Sequence, residues 1–181
     1  AYAIAKIAGV ELVRAYRHQH GMSAISLMPT NLYGPFDNFD LSSSHVLPAL
    51  IRKFDDAKRN GAPSVTIWGT GTPRREFLFV DDLADAAVFL MRTYDEADPI
   101  NVGVGEDIAI GDLAKLVAEV VGFEGSLELD TSKPDGTPRK LLDVSKLATL
   151  GWRASTSLRD GLVETLRWYR EQNPDLGQAS H

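Results

Sequence analysis

The chain has 181 residues, of which 44% are hydrophobic and 24% charged, and this composition is typical of a globular protein rather than a disordered one. Its net charge of -6 argues against nucleic-acid binding, because proteins that bind phosphate backbones usually carry a basic surface. Without cysteine the chain can form neither a disulfide nor a thiolate metal site, and we predict no metal site. The apolar runs are much shorter than the roughly 20 residues of a membrane span, and no signal-peptide pattern opens the chain, so we expect a cytoplasmic protein without membrane contact.

The first predicted element is a helix over residues 1–20, because apolar side chains recur there every three or four positions. Those positions are Ile4, Ile7, Leu12, Val13 and Tyr16. No capping residue precedes the helix and the chain does not begin with methionine, so we expect the sequence to start partway through a longer protein. Residues 24–28 are predicted to form a buried strand that ends at Pro29, followed by a loop over residues 29–43.

Helices and strands then alternate. A helix capped by Ser43 or Ser44 is expected to end at Asn60, and Asp81 or Asp82 should cap the next one. Later strands are predicted at residues 65–68, 76–80, 100–102 and 126–129, and later helices at 81–92, 110–121, 144–150 and 157–172. This alternation indicates a parallel or mixed α/β sheet. No G-x-G-x-x-G turn follows any predicted strand, although a dinucleotide-binding α/β fold normally opens with one.

Tyr2 and Lys6 are four residues apart in the first predicted helix, so their side chains should share one face. A neighbouring ammonium favours the phenolate, and such a tyrosine can exchange a proton with a carbonyl or alcohol oxygen. The same ammonium could bind the ribose of a nicotinamide cofactor. An ordinary surface pair is the alternative, because this spacing alone is a weak signal.

The segment M-P-T-N-L-Y-G-P at residues 28–35 ends a predicted strand, at the sheet edge where α/β folds bind ligands, although an ordinary turn would have a similar composition. With Tyr2 and Lys6, this segment resembles the extended short-chain dehydrogenase/reductase family, in its branch of nucleotide-sugar epimerases, dehydratases and reductases. Three further stretches carry the same resemblance. They are N-L-Y-G-P-F-D-N-F at 31–39 followed by S-H-V-L-P-A-L at 44–50, W-G-T-G-T-P-R-R-E-F at 68–77 and S-K-P-D-G-T-P-R-K at 132–140.

The resemblance implies an α/β fold, namely the C-terminal part of an NAD(P)-binding Rossmann-like fold plus a smaller mixed α/β substrate-binding domain. Residues 1–35 would supply the last helix and strand portion of the dinucleotide-binding domain. Residues 36–181 would form mainly the substrate-binding domain, with residues 77–102 returning to the Rossmann sheet. Family members pair as dimers through helices, so the resemblance also implies a homodimer, with the first helix as a candidate contact.

For activity, the resemblance implies an NADP(H)-dependent enzyme that inverts C3 and C5 of GDP-4-keto-6-deoxy-D-mannose and then reduces C4. Tyr2 and Lys6 would be catalytic, and His45 would be the general acid of the epimerisation. A helix N-terminus favours neutral histidine, which suits proton transfer, although His45 could simply be a polar residue that begins a helix. The resemblance places a cysteine base, a supporting serine and the glycine-rich turn before residue 1, so we expect negligible activity and weak NADP binding from this chain alone.

Ligand contacts are also carried over from the family. Cofactor contacts are expected at Lys6, Pro29, Thr30, Asn31, Leu32 and His45, and sugar-nucleotide contacts at Lys53, Trp68, Arg75 and Asp135. Arg75 and Lys53 could bind a diphosphate and Trp68 offers a flat face, although Trp68 could equally be a core residue at a strand end. Phe36 and Asp40 occupy positions where histidine is common in the family, which changes the charge and pH response of this loop but not the inferred mechanism.

Two other functions remain open. The chain could belong to another nucleotide-sugar epimerase or dehydratase of the same family, which thermal protection by GDP-, UDP- or dTDP-sugars would distinguish. It could also be a noncatalytic sugar-nucleotide-binding domain in which Tyr2 and Lys6 are structural, and substitution of Tyr2 would then leave turnover unchanged.

Overall fold

A computed structural model describes residues 1–174, in which helices alternate with short strands. The helices are α1 Tyr2–His20, α2 Val46–Arg59, α3 Val80–Thr93, α4 Ile110–Val121, α5 Ser145–Thr149 and α6 Leu158–Gln172. The strands are β1 Leu27–Pro29, β2 Asn31–Tyr33, β3 Ser64–Trp68, β4 Arg74–Arg75, β5 Phe77–Phe79, β6 Ile100–Val102, β7 Ile108–Ala109, β8 Ser126–Asp130 and β9 Arg139–Lys140.

Most strand pairs are parallel. The pairs β1–β6, β2–β5 and β3–β8 are each parallel, while β4 pairs in parallel with β9 and antiparallel with β7. Parallel neighbours need a crossover connection, and here each crossover contains one or two helices. This arrangement confirms the predicted α/β class.

Two groups of buried apolar side chains form the interior. The larger group joins α2, α4 and α6 to β3, and the smaller one joins α3 and α5 to β6. Strand β5 lies between them, because Phe77 and Phe79 belong to the larger group and Leu78 to the smaller one. All three residues of β5 are buried, as expected for a strand covered on both faces.

Helix α1 differs from the rest of the fold because none of its residues is buried. Its predicted apolar face is exposed, with Ile4 71% and Ile7 62% accessible. The helix is instead held near its C-terminal end, where Arg17 Nη1 donates to Ala24 O (2.8 Å) and Asp95 Oδ1 (2.7 Å). In the described part of the chain, no helix, α1 included, combines the length and apolar character needed to cross a bilayer.

Part of the predicted loop at residues 29–43 proved to be strand. Pro29 closes β1, and Asn31–Tyr33 form β2 in register with Phe77–Phe79. The partner lies more than 40 residues away in sequence, as the Asn31–Glu76 separation of 45 shows, so no local pattern could reveal this pairing.

The predicted caps of two helices were also wrong. His45 is the N-cap of α2, because the backbone N–H groups of Ser43 and Ser44 both bind Asp40 O in a preceding turn. Phe79 is the N-cap of α3, which puts Asp81 and Asp82 inside the first turn. Asp82 is buried there and accepts hydrogen bonds from Ser155 and Thr156.

Candidate active site

The candidate site is an open cavity of about 820 Å³ where several elements meet. It is lined by residues from the start of α1, from β1 and β2, from the loop after β2, from the start of α2 and from β4 and β5. These are Tyr2, Pro29, Thr30, Asn31, Leu32, Tyr33, Gly34, Pro35, Phe36, Asp37, His45, Val46, Leu47, Pro48, Arg75, Phe77 and Val80. The cavity therefore brings together seven predicted site residues that are spread over the first 75 positions of the sequence.

The β1–β2 segment is fixed at the cavity by contacts with the chain just before β5. Asn31 Nδ2 donates to Glu76 O at 2.8 Å, and Thr30 Oγ1 donates to the same carbonyl at 3.3 Å. The Thr30 N–H also donates to Val102 O, which extends the β1–β6 pairing by one residue. Pro29 and Thr30 thus lie at the carboxyl end of β1, the edge where α/β folds bind ligands, while the other two predicted cofactor contacts, Asn31 and Leu32, begin β2.

Tyr2 and Lys6 share one face of α1. The Tyr2 side chain is 78% exposed and lines the cavity, and Lys6 Nζ lies 5.4 Å from the centroid of its ring. This distance is within the range of a cation–π contact. Lys6 itself is not among the residues that line the cavity, so Tyr2 lies between its ammonium and the cavity.

His45 reaches the cavity from the N-cap of α2, the position just before the first helical residue Val46. Its backbone is extended (φ -73°, ψ 168°), as is usual for an N-cap, and its side chain makes no capping hydrogen bond. The imidazole is exposed and lines the same cavity as Tyr2. Two groups capable of proton transfer, a phenol and an imidazole, are therefore brought to one cavity by two different helices.

Arg75 is the predicted substrate contact that lies in this cavity. Its Nη1 donates to Arg74 O (2.7 Å) and to Thr137 O (2.6 Å), which holds the guanidinium in place. Arg74 and Arg139 instead form ion pairs with Asp107. The hydrogen bond from Arg139, followed by that from Arg74, holds the pKa of the Asp107 carboxyl below its usual range. In residues 1–174 Arg75 has no carboxylate within ion-pair distance, so its charge is available to an anion.

Trp68, Lys53 and Asp135 lie outside the lining of the cavity, on the neighbouring surface. Trp68 is 69% exposed at the end of β3, so it is not the core residue that we considered as an alternative. Lys53 Nζ lies 5.8 Å from its indole ring. Asp135 accepts hydrogen bonds from Thr70 N at 2.9 Å and from Thr70 Oγ1 at 2.8 Å, so its carboxylate joins the loop before β9 to the turn after β3.

Two charged residues of this region were not predicted. Lys133 Nζ lies 5.6 Å from the Trp68 ring, which gives the indole a second neighbouring cation beside Lys53. The S-K-P-D-G stretch contained Lys133, but its contact with Trp68 depends on the parallel pairing of β3 with β8. Sequence reasoning therefore identified Asp135 in that stretch and missed the lysine two positions before it.

Glu76 is the second residue that the sequence did not reveal. It is fully buried, and its Oε1 accepts from the N–H groups of Val104 and Gly105, both at 2.7 Å. Its Oε2 accepts from Leu142 N at 3.0 Å. One carboxylate thus joins the β4–β5 segment beside the cavity to the loops after β6 and β9. In the sequence, the only sign of this role is that Glu76 is a charged residue directly before the apolar stretch F-L-F.

Known proteins share this sequence and this fold. GDP-L-fucose synthase 1 of Arabidopsis thaliana is 63% identical over 168 residues, covering 93% of the chain and 52% of that protein. GDP-L-fucose synthase of Escherichia coli (strain K12) is 51% identical over 179 residues, covering 94% of the chain and 56% of that protein. The crystal structure of a GDP-L-fucose synthetase from Naegleria fowleri bound to NADP matches with a TM-score of 0.89 at 33% identity, over 98% of this chain and 57% of that one.

The chain spans about half the length of the curated relatives it matches. The similarity confirms the predicted Rossmann-like α/β fold and the resemblance to nucleotide-sugar enzymes. The model of the family described as "NAD dependent epimerase/dehydratase family" matches residues 1–105, which include Tyr2, Lys6, His45 and Arg75. The chain is therefore a member of the NAD dependent epimerase/dehydratase family.

Proposed function

We propose that this chain is the part of an NADPH-dependent 3,5-epimerase and 4-reductase that binds GDP-4-keto-6-deoxy-D-mannose and converts it to GDP-L-fucose. One observation carries the proposal: Tyr2, His45, Arg75 and the segment 29–32 line a single cavity. The similar proteins are named for the synthesis of GDP-L-fucose, which is the product of this reaction. The cavity supplies the groups that such a reaction needs from this part of the chain, which are two proton donors and a cation.

The epimerisation depends on the ketone at C4, because a ketone acidifies the protons on the flanking carbons C3 and C5. The cysteine base that the family resemblance places before residue 1 would take up such a proton and leave an enolate. His45 would then deliver a proton to the same carbon from the opposite face, so the configuration at that carbon is inverted. Its place in the lining of the cavity, beside Tyr2, supports this role, since an imidazole can accept and return protons.

The reduction needs a hydride and a proton. NADPH, when bound, supplies the hydride to C4, and Tyr2 would give its phenolic proton to the C4 oxygen, so that the ketone becomes a hydroxyl. Lys6 Nζ lies 5.4 Å from the ring of Tyr2, so a positive charge is close to the phenol during this transfer. Residues 29–32 fit the nicotinamide end of the cofactor, because they line the cavity beside Tyr2 and His45, and about 820 Å³ accommodates a ring of that size together with a hexose.

The GDP portion would lie across Arg75 and the Trp68 surface. Arg75 can bind the diphosphate through a guanidinium that has two carbonyl partners and no paired carboxylate in residues 1–174. Trp68, with Lys53 and Lys133 near its ring, offers an exposed face to the base. Asp135 would hold the turn after β3 in place through its hydrogen bonds with Thr70. It would also accept hydrogen bonds from the ligand.

The test is a chimera in which this chain replaces the matched part of the Arabidopsis enzyme. We expect it to oxidise NADPH with GDP-4-keto-6-deoxy-D-mannose and to release GDP-L-fucose, and not to do so with UDP- or dTDP-linked keto sugars. Tyr2→Phe should abolish NADPH oxidation. His45→Gln should retain reduction but leave C3 and C5 without inversion, which NMR of the product reveals.

The unaltered Arabidopsis enzyme and the circular-dichroism spectrum of each chimera are the controls. A folded chimera that is inert beside an active parent would contradict the proposal, as would undiminished turnover by Tyr2→Phe. The second result would favour a noncatalytic role for the Tyr2–Lys6 pair.

The proposal extends to organisation. Residues 1–35 and 77–102 would belong to the dinucleotide-binding part and the remainder mainly to the substrate-binding part, which is supported by the pairing of β1 with β6 and of β2 with β5. We also propose a cytoplasmic homodimer with α1 as a contact, because its apolar residues are exposed. Light scattering of wild type and Ile7→Glu tests the dimer, and cell fractionation tests the location.

A further inference from the structure

Phe36 has an unfavourable backbone conformation. Its φ is 68°, and in residues 1–174 every other residue with a positive φ is a glycine. For a side chain with a bulky Cβ substituent, the left-handed region is a strong outlier, because the Cβ crowds the following carbonyl oxygen. Such strain persists only where the surrounding structure imposes it, and it is concentrated at ligand-binding sites.

Burial of the ring does not compensate for this strain. The Phe36 side chain is 85% exposed, and its aromatic neighbour is Trp168 of α6, at 5.0 Å between ring centroids. Phe39, three positions further along the same loop, also lies beside Trp168 (6.1 Å) and packs on Tyr169 (4.6 Å). Phe39 is half-buried and does not line the cavity, so its ring has an ordinary packing role that Phe36 lacks.

The ring of Phe36 does line the cavity that contains Tyr2 and His45. A phenyl ring has neither charge nor hydrogen-bond donor, so it suits neither a diphosphate nor the edge of a base. It does suit the C–H face of a sugar, and above all a 6-deoxy sugar, in which a methyl group replaces a hydroxyl. Under the function proposed above, Tyr2 and His45 act on the sugar ring, so the sugar is the part of the ligand that would reach Phe36.

We propose that Phe36 is a specificity-determining residue whose ring binds the apolar face of the 6-deoxyhexose. The positive φ of Phe36 goes with its place in the lining of the cavity, where its ring also lies beside Trp168 of α6. This assignment rests on the proposed function, and it adds a sugar contact to the ligand contacts expected from the family resemblance.

The experiment measures the dissociation constants of GDP and GDP-L-fucose for the 181-residue chain by calorimetry, for wild type, Phe36→Asn and Phe36→Tyr. Wild type should bind GDP-L-fucose more tightly than GDP. Phe36→Asn should reduce this ratio by about three- to tenfold, the usual range for one aromatic contact, without changing the affinity for GDP. Phe36→Tyr keeps the ring and should keep the ratio.

Melting temperatures distinguish this role from a structural one. Asparagine tolerates the left-handed region, so Phe36→Asn should melt at the wild-type temperature or about 2–4 °C above it, even though it loses the sugar contact. Phe39→Ala is the matched control from the same loop. It should melt at a lower temperature and leave the ratio of the two affinities unchanged.

Two results would overturn the assignment of Phe36. One is an affinity ratio in Phe36→Asn equal to that of wild type, and the other is a wild-type chain that binds GDP and GDP-L-fucose equally well. A wild-type chain that binds neither nucleotide would contradict the proposed function and, with it, the role of Phe36.

Discussion

Helices α1 and α2 each begin at a proposed catalytic residue, but they are held in very different ways. In α2, which begins after His45, half of the residues are buried: Leu47, Pro48, Leu50, Ile51, Phe54, Asp55 and Ala57. In α1, which begins at Tyr2, none is buried. The hydrophobic core therefore fixes the position of His45, whereas α1 depends on charged contacts near its far end.

The difference has a consequence for the site. A core contact is short-ranged and insensitive to salt or pH, while an exposed ion pair is weakened by both. Arg14 and Arg17 attach α1 to Asp98 and Asp95, in the segment after α3, at 2.9 and 2.7 Å. Tyr2 should therefore move more freely than His45. Four experiments test how differently these parts of the fold are held.

The largest effect is expected from Phe54→Ala in α2. Phe54 is 0% exposed and lies 5.5 Å from the ring of Phe123, so its removal leaves a cavity in the core. We expect the free energy of unfolding to fall by about 3–5 kcal/mol in urea titrations. Ile7→Ala in α1 is the control, and in the monomeric chain it should change this free energy by less than about 0.5 kcal/mol, because Ile7 is 62% exposed there. Equal losses in both variants would refute the contrast.

Glu76→Gln should have the next largest effect. The glutamine amide has one NH₂ group in place of a carboxylate oxygen, and this donor would face the N–H of Leu142 or the N–H groups of Val104 and Gly105. Two donors cannot form a hydrogen bond with each other, so we expect the free energy of unfolding to fall by about 2 kcal/mol. Asp82→Asn alters another buried carboxylate with several donors, one that does not itself line the cavity.

The two variants can be compared through ligand affinity. We expect Glu76→Gln to weaken GDP-L-fucose binding, because Glu76 fixes the segment that carries Arg75, and Asp82→Asn to leave it unchanged. If both variants weaken binding equally, the role of Glu76 is stability alone.

Arg17→Ala should release α1 with a smaller effect on the whole fold. Its guanidinium binds Ala24 O, Asp95 Oδ1 and Asp95 O at 2.7–2.8 Å. We expect amide hydrogen exchange in α1 to become on the order of fivefold faster while exchange in α2 stays the same. High salt should produce the same change in wild type. Faster exchange in both helices would show that α1 and α2 unfold together.

The smallest effect is expected from acid. The hydrogen bond and charge of Arg17 hold the pKa of Asp95 below its usual range. A carboxyl with a lowered pKa in the folded state stabilises that state above its unfolded pKa of about 3.9, and this contribution is lost as the pH falls through the folded value. Exchange in α1 should therefore accelerate below about pH 4 in wild type. In Asp95→Asn, amide exchange in α1 should be fast already at neutral pH. If exchange in Asp95→Asn still accelerates in acid as it does in wild type, Asp95 is not the source of the acid response.

Local signals predicted some features of the fold accurately. Helix α4 occupies residues 110–121 as its apolar spacing indicates, and Gly122 ends it in the left-handed conformation (φ 73°) that glycine adopts most readily. The last helix was predicted over 157–172, and α6 occupies Leu158–Gln172 with Ser157 as its N-cap, which accepts the N–H of Asp160. Both features depend only on residues within one or two turns, which is why a sequence pattern can specify them.

The sequence by itself determined the family, the alternation of helices and strands, and the residue types of the site, because Tyr2, Lys6, His45 and Arg75 all lie in short contiguous motifs. Only the tertiary structure decided which of these residues share a cavity, that Asp135 binds Thr70, and that Glu76, Lys133 and Phe36 belong to the site region. The reason is physical: these contacts form when parallel strands such as β2 and β5 or β3 and β8 pair across long separations, and the energy of such pairing is not contained in either strand alone.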